Sequence, residues 1–169
     1  MSLTIRGATT KDAAGVLAIY GPVIERSPAS FEIVVPSESE IAGRIEKTLA
    51  AHPWLVGVDG EDILGYAYAG QFRNRAAYAP SAEVSTYVSA SARGRGIGRA
   101  LLTALLEELI ARGFANAFAG VTLPNEASVR LFESAGFRHV GIFRNVGYKF
   151  DDWHDVGWWQ LDLGVVQER

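Results

Sequence analysis

Cysteine is absent from this chain of 169 residues, and its absence excludes several kinds of chemistry. Without a thiol there is no disulfide, no cysteine nucleophile and no thiolate metal site. Histidine is also scarce, since His52, His139 and His154 stand apart and form no H-x-x-x-H or similar cluster. The sequence therefore predicts no metal site.

An excess of basic residues and a long apolar run are missing too. The formal net charge is −3 and the isoelectric point is near 5.6, which supplies no positive field for nucleic acid. The N-terminal residues 1–6 lack the apolar run of a signal peptide, and no later stretch has the length of a membrane span. We expect a cytoplasmic protein that binds neither nucleic acid nor membrane.

The composition that remains is that of a globular domain. Apolar residues make up 49% of the chain, and its length suits a single domain with a sizeable core. No internal repeat, linker or low-complexity tract divides it. We therefore predict one domain over residues 1–169.

The most informative stretch is residues 83–110. Apolar and polar residues alternate at period two over 83–89, which is typical of a strand. From Leu101 to Ile110 the apolar residues follow helical spacing. A turn rich in glycine and arginine connects the two: Arg93, Gly94, Arg95, Gly96, Ile97, Gly98 and Arg99.

This turn has the chemistry of an anion site. The first amides of a helix lack intrahelical acceptors and lie at the positive end of the helix dipole. The three glycines let the backbone approach an anion without an intervening Cβ, and the three arginines add positive charge. The turn therefore predicts a ligand that carries phosphates, although a glycine-rich connection that only allows close packing is the alternative.

The spacing of the glycines distinguishes between the known phosphate-binding motifs. A Walker loop requires G-x-x-x-x-G-K-[ST], but no Lys-Ser or Lys-Thr follows these glycines. The dinucleotide fingerprint G-x-G-x-x-G fails because Arg99 stands at its third glycine position. The pattern that fits is R-x-x-G-x-G, from Arg93 to Gly98.

Periodicity and turn residues predict the remaining elements. Capping boxes at Thr9 and Ser37 precede two helices, and Gly21-Pro22 is expected to break or kink the first. A further short helix follows Asn125 as N-cap, and Gly113 ends the helix after the glycine turn. Predicted strands cover 3–8, 54–58, 63–69, 83–89, 115–121, 137–143 and 153–161. A strand-helix-strand crossover beside antiparallel strands favours a mixed sheet with helices on both faces.

Three separately spaced motifs resemble the GNAT superfamily of acyl-CoA-dependent N-acyltransferases. The R-x-x-G-x-G turn is similar to the family's pyrophosphate-binding turn, and Leu123 to Phe137 is similar to its N-x-x-[SA]-x-x-[LF]-[YF]-x-x-x-G-F signature. Residues 149–161, together with Arg6-x-Ala8-Thr9-x-x-Asp12, resemble the phosphinothricin and methionine sulfone/sulfoximine N-acetyltransferase subgroup. The element order resembles the GNAT fold, which implies a single α/β (α+β) domain with a mixed, mostly antiparallel sheet.

The resemblance implies acetyl-CoA as co-substrate and no metal. The main chain of the central strand would contact the thioester, with one N–H polarising its carbonyl, the turn would bind the pyrophosphate, and Asn125 would bind the pantetheine arm or its acetyl end. The residues implied for acetyl-CoA are Thr86, Tyr87, Val88, Arg93, Gly94, Arg95, Gly96, Ile97, Gly98, Arg99 and Asn125.

The resemblance also implies an acceptor site for a small amino-acid-like amine. Glu83 stands where the subgroup has its acidic base, which would take the proton of the amine directly or through water. An arginine near residue 73 would hold the acceptor's carboxylate or phosphinate. The residues implied for the acceptor are Phe31, Arg73, Asn74, Arg75, Glu83, Val84 and Ser85. Without the resemblance, Phe31 is also a candidate core residue, and the two arginines are ordinary solvated charges.

One departure from the family concerns the general acid. Many GNAT enzymes have a tyrosine in the helix after the Asn signature, but this chain has Phe132 there, which cannot donate a proton. Water, Tyr87 or Tyr148 could take that role, so no general acid is assigned.

The expected activity is acetylation of an α-amine of the phosphinothricin or methionine sulfone/sulfoximine type, with detoxification as its role. The alternatives are a peptide or protein N-acetyltransferase, a non-catalytic acyl-CoA-binding module and, least favoured, a nicotinamide enzyme. The family often forms homodimers, and the tryptophans at 153, 158 and 159 could serve a subunit contact or the core.

Overall fold

A computed structural model describes residues 2–165 and contains the predicted order of helices and strands. The helices are α1 (Ala13–Arg26), α2 (Glu38–Leu49), α3 (Ile97–Ala111) and α4 (Glu126–Ser134). The strands are β1 (Thr4–Gly7), β2 (Trp54–Asp59), β3 (Asp62–Gln71), β4 (Ser81–Val88), β5 (Asn116–Leu123), β6 (Arg138–Lys149) and β7 (Asp152–Asp162). Short 3-10 segments cover Thr10–Asp12, Ala76–Tyr78 and Ala90–Ala92.

The strands form one sheet in the order β1-β2-β3-β4-β5-β7-β6. Every neighbouring pair is antiparallel except β4 and β5, which are parallel and are joined through α3. A parallel pair needs such a crossover because the chain must return to the same end of the sheet. The predicted mixed, mostly antiparallel sheet is confirmed.

Helices cover both faces of the sheet, as predicted. On one face α3 buries six of its fifteen residues against the sheet, and Phe132 of α4 joins the same core. On the other face α1 and α2 pack Val16, Ile41 and Ile45 against Val56 and neighbouring residues. Burial of each such large side chain stabilises the fold by about 1.5–3 kcal/mol, so these rows of apolar residues hold the helices against the sheet. Within residues 2–165, none of the helices is long and apolar enough to cross a membrane.

The N-terminal motif Arg6-x-Ala8-Thr9-x-x-Asp12 forms a hydrogen-bonded unit. Both carboxylate oxygens of Asp12 accept hydrogen bonds from the Arg6 guanidinium at 2.8 Å, and one also accepts from the Thr9 N–H at 2.8 Å. Asp12 is 7% exposed, and the bonds from Arg6 lower the pKa of its carboxyl. The pair therefore fixes β1 to the start of α1.

Two boundaries differ from the sequence-based expectations. Helix α1 does not end at Gly21-Pro22 but runs through Pro22 to Arg26. A proline inside a helix costs roughly 3 kcal/mol, and the buried Ile24, 1% exposed, offsets much of that cost. Strand β6 continues past residue 143 to Lys149 after a shift in register with β7, and such an irregular ladder carries no period-two signal.

Candidate active site

The central feature of the site is a gap between the parallel strands β4 and β5. Their pairing covers only Ser81, Ala82 and Glu83 on β4, and it ends at Glu83 opposite Phe118. Beyond that point β4 continues to pair with β3, and β5 continues to pair with β7. The two strands therefore separate, and the edge of β4 past Glu83 faces an opening.

The backbone of β4 places donors along this opening. The N–H of Ser89 donates to the Leu64 carbonyl at 2.8 Å, so the backbone of Ser89 faces β3. Successive residues of a strand direct their backbone groups to opposite sides, which turns the N–H groups of Thr86 and Val88 toward β5. Both lie beyond the end of the β4–β5 ladder, so they face the gap.

A cavity of about 670 Å³ occupies the gap. Four parts of the chain line it: the edge of β4, the glycine turn with the start of α3, the end of β5 with α4, and the C-terminal end of α1 with the loop after it. The lining residues include Val84, Ser85, Thr86, Tyr87, Val88, Arg93, Gly94, Gly96, Ile97, Gly98, Arg99, Gly120, Thr122, Asn125, Ser128, Val23, Ser27, Pro28 and Ala29. The volume of the cavity suits a ligand larger than a simple anion.

The three glycines of the turn have different roles. Gly94 and Gly96 adopt φ values of 74° and 77°, a left-handed conformation in which a side chain is strained. A Cβ on either would meet no protein atom within 4 Å, so the space above them is open. A Cβ on Gly98 would lie 3.4 Å from Val88 Cγ2, so this glycine allows close packing of α3 on β4.

The turn supplies an anion site at the start of α3. The first helical hydrogen bond runs from the Ala100 N–H to the Gly96 carbonyl, which leaves the earlier amides without helical acceptors. The arginines 93, 95 and 99 are exposed and form no ion pair within residues 2–165. A phosphate ligand is favoured by three features together: the amides without helical acceptors, the positive end of the helix dipole and the unpaired guanidinium groups.

Glu83 lies where the two strands part, on the face of the sheet covered by α1 and α2. Its register neighbours are Gly70 on β3 and Phe118 on β5, and a Cβ on Gly70 would meet nothing within 4 Å. Burial raises the pKa of the Glu83 carboxyl, and the nearby Arg73 partly opposes that rise. A desolvated carboxylate beside open space has the properties of a general base.

The predicted acceptor segment at residues 73–75 leaves β3 next to Glu83 and is exposed. The Arg73 guanidinium lies 5.0 Å from the centre of the Phe72 ring, and that ring stacks on Phe118 with centroids 4.1 Å apart. The positive charge of Arg73 and the carboxylate of Glu83 therefore flank the apolar wall formed by the Phe72 and Phe118 rings. Such a pair of charges suits a zwitterionic acceptor.

Ser85 and Val84 point to opposite faces of β4. Ser85 shares the face of Glu83 and is the register neighbour of Tyr68 on β3. The side chain of Val84 is 3% exposed and packs in the core beneath α3, and it borders the cavity from that side. Val84 thus faces α3, whereas Glu83 and Ser85 face the opposite side of the sheet.

Phe31 and Asn125 differ in their relation to the cavity, because Asn125 lines it and Phe31 is not among the lining residues. Phe31 is 39% exposed and lies against Gly147 of β6, so it does not plug the core. The side-chain oxygen of Asn125 accepts a hydrogen bond from the Ser128 N–H at 3.2 Å, which confirms it as the N-cap of α4. Asn125 also lines the cavity, so helix capping places its amide beside the gap.

The two tyrosines considered as general acids differ in position. Tyr87 lines the cavity and packs against Tyr20 and Tyr66, and burial raises its pKa well above the usual range. Tyr148 is 55% exposed and packs on Trp153 in the β6–β7 hairpin. Of the two, only Tyr87 borders the cavity within the described part of the chain.

Sequence reasoning missed part of the lining. Ser27, Pro28 and Ala29 form a wall of the cavity, and Phe118 stands opposite Glu83. The composition of the loop predicts only a turn, and Phe118 looks like any other apolar strand residue. Only the register between β4 and β5 brings it to Glu83. Residues 2–165 contain no group of three His, Asp or Glu side chains that could hold a metal ion.

Comparison with known proteins agrees with this geometry. The chain matches the Acetyltransferase (GNAT) domain over residues 5–158. It is 39% identical to a phosphinothricin N-acetyltransferase of Streptomyces viridochromogenes, over 94% of this chain and 87% of that protein. It is 32% identical to an L-methionine sulfoximine/L-methionine sulfone acetyltransferase of Salmonella typhimurium, over 95% of each.

A solved structure shares the whole architecture. The crystal structure of a phosphinothricin acetyltransferase from Sinorhizobium meliloti, in complex with acetyl-CoA, superposes with a TM-score of 0.93. Sequence identity is 36%, and the match covers 97% of this chain and 90% of that one. The three motifs, the split sheet and these similarities lead to one conclusion. The chain belongs to the GNAT family and is an N-acetyltransferase.

Proposed function

We propose that the protein transfers the acetyl group of acetyl-CoA to the α-amine of a small amino-acid-like acceptor, of the phosphinothricin or methionine sulfoximine type. The observation that carries the proposal is the position of Glu83. A half-buried carboxylate with a raised pKa lies where the β4–β5 ladder ends, directly before the β4 residues that line the cavity and beside the arginine loop after β3. The named activities of the relatives support the same acceptor class.

The cavity and the turn that borders it suit acetyl-CoA in their chemistry. The left-handed glycines and orphan amides of the turn fit a pyrophosphate, and the arginines at 93, 95 and 99 add charge. Acetyl-CoA would then extend along the edge of β4. The N–H groups of Thr86 and Val88 would donate to the thioester carbonyl and stabilise the oxyanion that forms on attack.

Glu83 would make the acceptor amine nucleophilic. An α-amine with a pKa of about 8 is mostly protonated at neutral pH, and only the neutral form attacks a thioester. Glu83 would accept that proton directly or through one water, and its raised pKa makes it a more effective base near neutrality. Attack then forms the C–N bond and breaks the C–S bond of the thioester. The second amine proton ends on the departing CoA thiolate, and the first leaves from Glu83 to solvent.

The arginine loop would select acceptors that carry a carboxylate or phosphinate. Arg73 is held over the Phe72 ring at 5.0 Å, and Arg75 begins the 3-10 segment that follows. A guanidinium can bind both oxygens of a carboxylate or phosphinate with two parallel hydrogen bonds. Such a contact would place the α-amine of the acceptor beside Glu83. We propose detoxification of small amino-acid analogues in the cytoplasm as the role of this reaction.

We also propose that the protein forms a homodimer through the β6–β7 hairpin. Large apolar side chains on this hairpin are exposed, among them Val140, Tyr148 and Trp153 at 60%, 55% and 57%. Strand β6 is also an edge of the sheet, and a second copy would cover both the edge and the apolar side chains. Trp159, by contrast, is 4% exposed and belongs to the core.

The dimer is tested by light scattering after size-exclusion chromatography. The wild-type protein should elute at twice the chain mass of 18.3 kDa, and the double substitution Val140→Lys with Tyr148→Lys should give a monomer. A monomeric wild-type protein at micromolar concentration would exclude the dimer.

The proposed reaction is tested by CoA thiol release from acetyl-CoA with a panel of acceptors. The panel comprises phosphinothricin, methionine sulfone, methionine sulfoximine, ordinary amino acids, polyamines and short peptides. We expect rapid release with the first three. Release with peptides alone would indicate a peptide N-acetyltransferase, and CoA binding without release for any amine would indicate a non-catalytic module.

A further inference from the structure

The side chain of Lys149, at the end of β6, is buried without a carboxylate partner. The residue is 6% exposed and forms no ion pair within residues 2–165. Its ammonium group donates instead to three backbone carbonyls: Ile24 at 2.6 Å, Ser27 at 3.0 Å and Ser30 at 2.8 Å. An ammonium group has three N–H donors, so these bonds use all of them.

The three carbonyls explain why a buried cation is tolerated here. Ile24 lies in the last turn of α1, where carbonyl groups have no helical donor and the helix dipole is negative. Burial lowers the pKa of the Lys149 ammonium, and the charge of Glu32 opposes that shift. Lys149 therefore acts as a cap for α1 that comes from a strand more than a hundred residues away in sequence.

The same bonds fix the loop that follows α1. Ser27, Pro28 and Ala29 line the cavity, on the same loop as the carbonyls that Lys149 binds. The ring of Phe31 is seated on β6, because a Cβ on Gly147 would come within 2.2 Å of it. The wall of the cavity is thus attached to β6 at two neighbouring points.

A second set of contacts holds the far end of the loop. Glu32 accepts two hydrogen bonds from Arg44 of α2, at 2.9 and 2.6 Å, and one from the hydroxyl of Tyr20. Tyr20 also bonds to Ser30 Oγ at 2.7 Å and packs edge-on to Tyr87, with ring centroids 5.2 Å apart. The loop is therefore held between β6 on one side and α1 and α2 on the other.

We propose that Lys149 is a positioning residue for acetyl transfer, because its ammonium sets the cavity wall at residues 27–29 opposite the edge of β4. The inference rests on the proposed function, in which the thioester lies along that edge and the acceptor approaches past Glu83. Release of the wall would leave the pyrophosphate site intact but would loosen the alignment of amine and thioester. Misplacement of reacting groups by about 1 Å can cost up to 100-fold in rate.

The test compares Lys149→Met, which keeps an unbranched side chain one atom shorter but removes the charge and the donors, with Lys149→Arg, which retains both. Lys11→Met, at an exposed position in the Thr10–Asp12 segment, is the control. For Lys149→Met we expect kcat/KM for the acceptor to fall about 10- to 100-fold. The Kd of CoA should change by less than about twofold, since no bond of Lys149 reaches the glycine turn. Lys149→Arg should recover part of the loss.

Hydrogen exchange measured by mass spectrometry provides a readout independent of catalysis. In Lys149→Met the amides of residues 29–34 should exchange faster while those of α3 remain as in the wild type. This measurement still applies if the wild-type protein acetylates none of the acceptors tested. A failure of the proposed function is thereby distinguished from a failure of the inference.

A second variant covers the case in which Lys149→Met does not fold. Gly147→Ala leaves Lys149 in place but displaces the Phe31 ring from β6, and it should lower acceptor kcat/KM in the same direction. Unchanged acceptor kinetics in Lys149→Met, or in Gly147→Ala where Lys149→Met does not fold, would overturn the proposal if the loop exchanges faster in that variant. Equal losses for acceptor turnover and CoA binding, with faster exchange throughout, would also overturn it in favour of a purely structural role.

Discussion

Replacing Glu83 by glutamine should lower activity and raise stability at the same time. The side chain keeps its size but loses the ability to accept a proton, and a general base contributes about 10²- to 10⁴-fold to rate. We expect kcat at pH 7 to fall within that range. Part of the loss should return near pH 9, because an acceptor amine with a pKa of about 8 is then mostly neutral and needs no base.

The stability effect follows from the direction of the Glu83 pKa. Burial raises the pKa in the folded state above that in the unfolded chain, so the ionised carboxylate at neutral pH costs stability. The cost appears as pH rises from the unfolded value, about 4.3, through the folded value, and it is absent below that window. Each pKa unit of elevation corresponds to about 1.4 kcal/mol, or a rise of about 3–5 °C in Tm on substitution.

The assay combines pH-dependent CoA thiol release with thermal unfolding at pH 4 and pH 7. Glu107→Gln, at an exposed position on α3, is the matched control and should change stability by less than about 0.5 kcal/mol. The gain in Tm for Glu83→Gln should be present at pH 7 and vanish near pH 4. Full activity of Glu83→Gln at pH 7, or a lower Tm at pH 7, would refute the reasoning.

Two further substitutions test other parts of the molecule. Asp12→Asn removes the carboxylate bound by Arg6 and Thr9, and it should lower the free energy of unfolding in urea by about 2 kcal/mol at pH 7. The pKa of Asp12 is lower in the folded than in the unfolded state, so this loss should shrink as the pH falls through the folded-state pKa. Gly96→Ala places a side chain at a left-handed position, which costs about 1–2 kcal/mol, and should raise the CoA Kd about tenfold in calorimetry. The control Gly43→Ala, in the exposed middle of α2, should leave the CoA Kd unchanged. A loss of stability in Asp12→Asn that stays the same at all pH values, or a wild-type CoA Kd in Gly96→Ala, would contradict these two predictions.

Much of the fold is predictable from local patterns. The leucines of α3, the capping residues Ser37 and Asn125 and the turn between β2 and β3 are all visible in sequence, and the structure confirms them. These features depend on periodicity and on hydrogen bonds between residues three or four positions apart, so neighbouring residues contain the information.

The boundaries that sequence reasoning missed depend on a distant contact in one case and on an irregular hairpin in the other. Helix α1 continues past Pro22 because Ile24 is buried and Lys149 binds the Ile24 carbonyl from β6. Strand β6 continues past residue 143 because its ladder with β7 resumes after a shift in register. The Lys149–Ile24 contact joins residues far apart in sequence, and the β6–β7 hairpin is irregular, so local propensity gives the wrong end point in both cases.

The sequence by itself determined the chemistry that is available: a glycine turn before a helix, three arginines in that turn, one carboxylic acid on the central strand and no thiol. Those properties follow from residue type and spacing. Only the tertiary structure decided the surroundings of Glu83: burial raises the pKa of its carboxyl, and it lies at the end of the β4–β5 ladder, next to the open space at Gly70. It likewise decided the far wall of the cavity, since a buried lysine binds carbonyls more than a hundred residues away. Burial and strand register arise from the whole chain, and no local pattern encodes them.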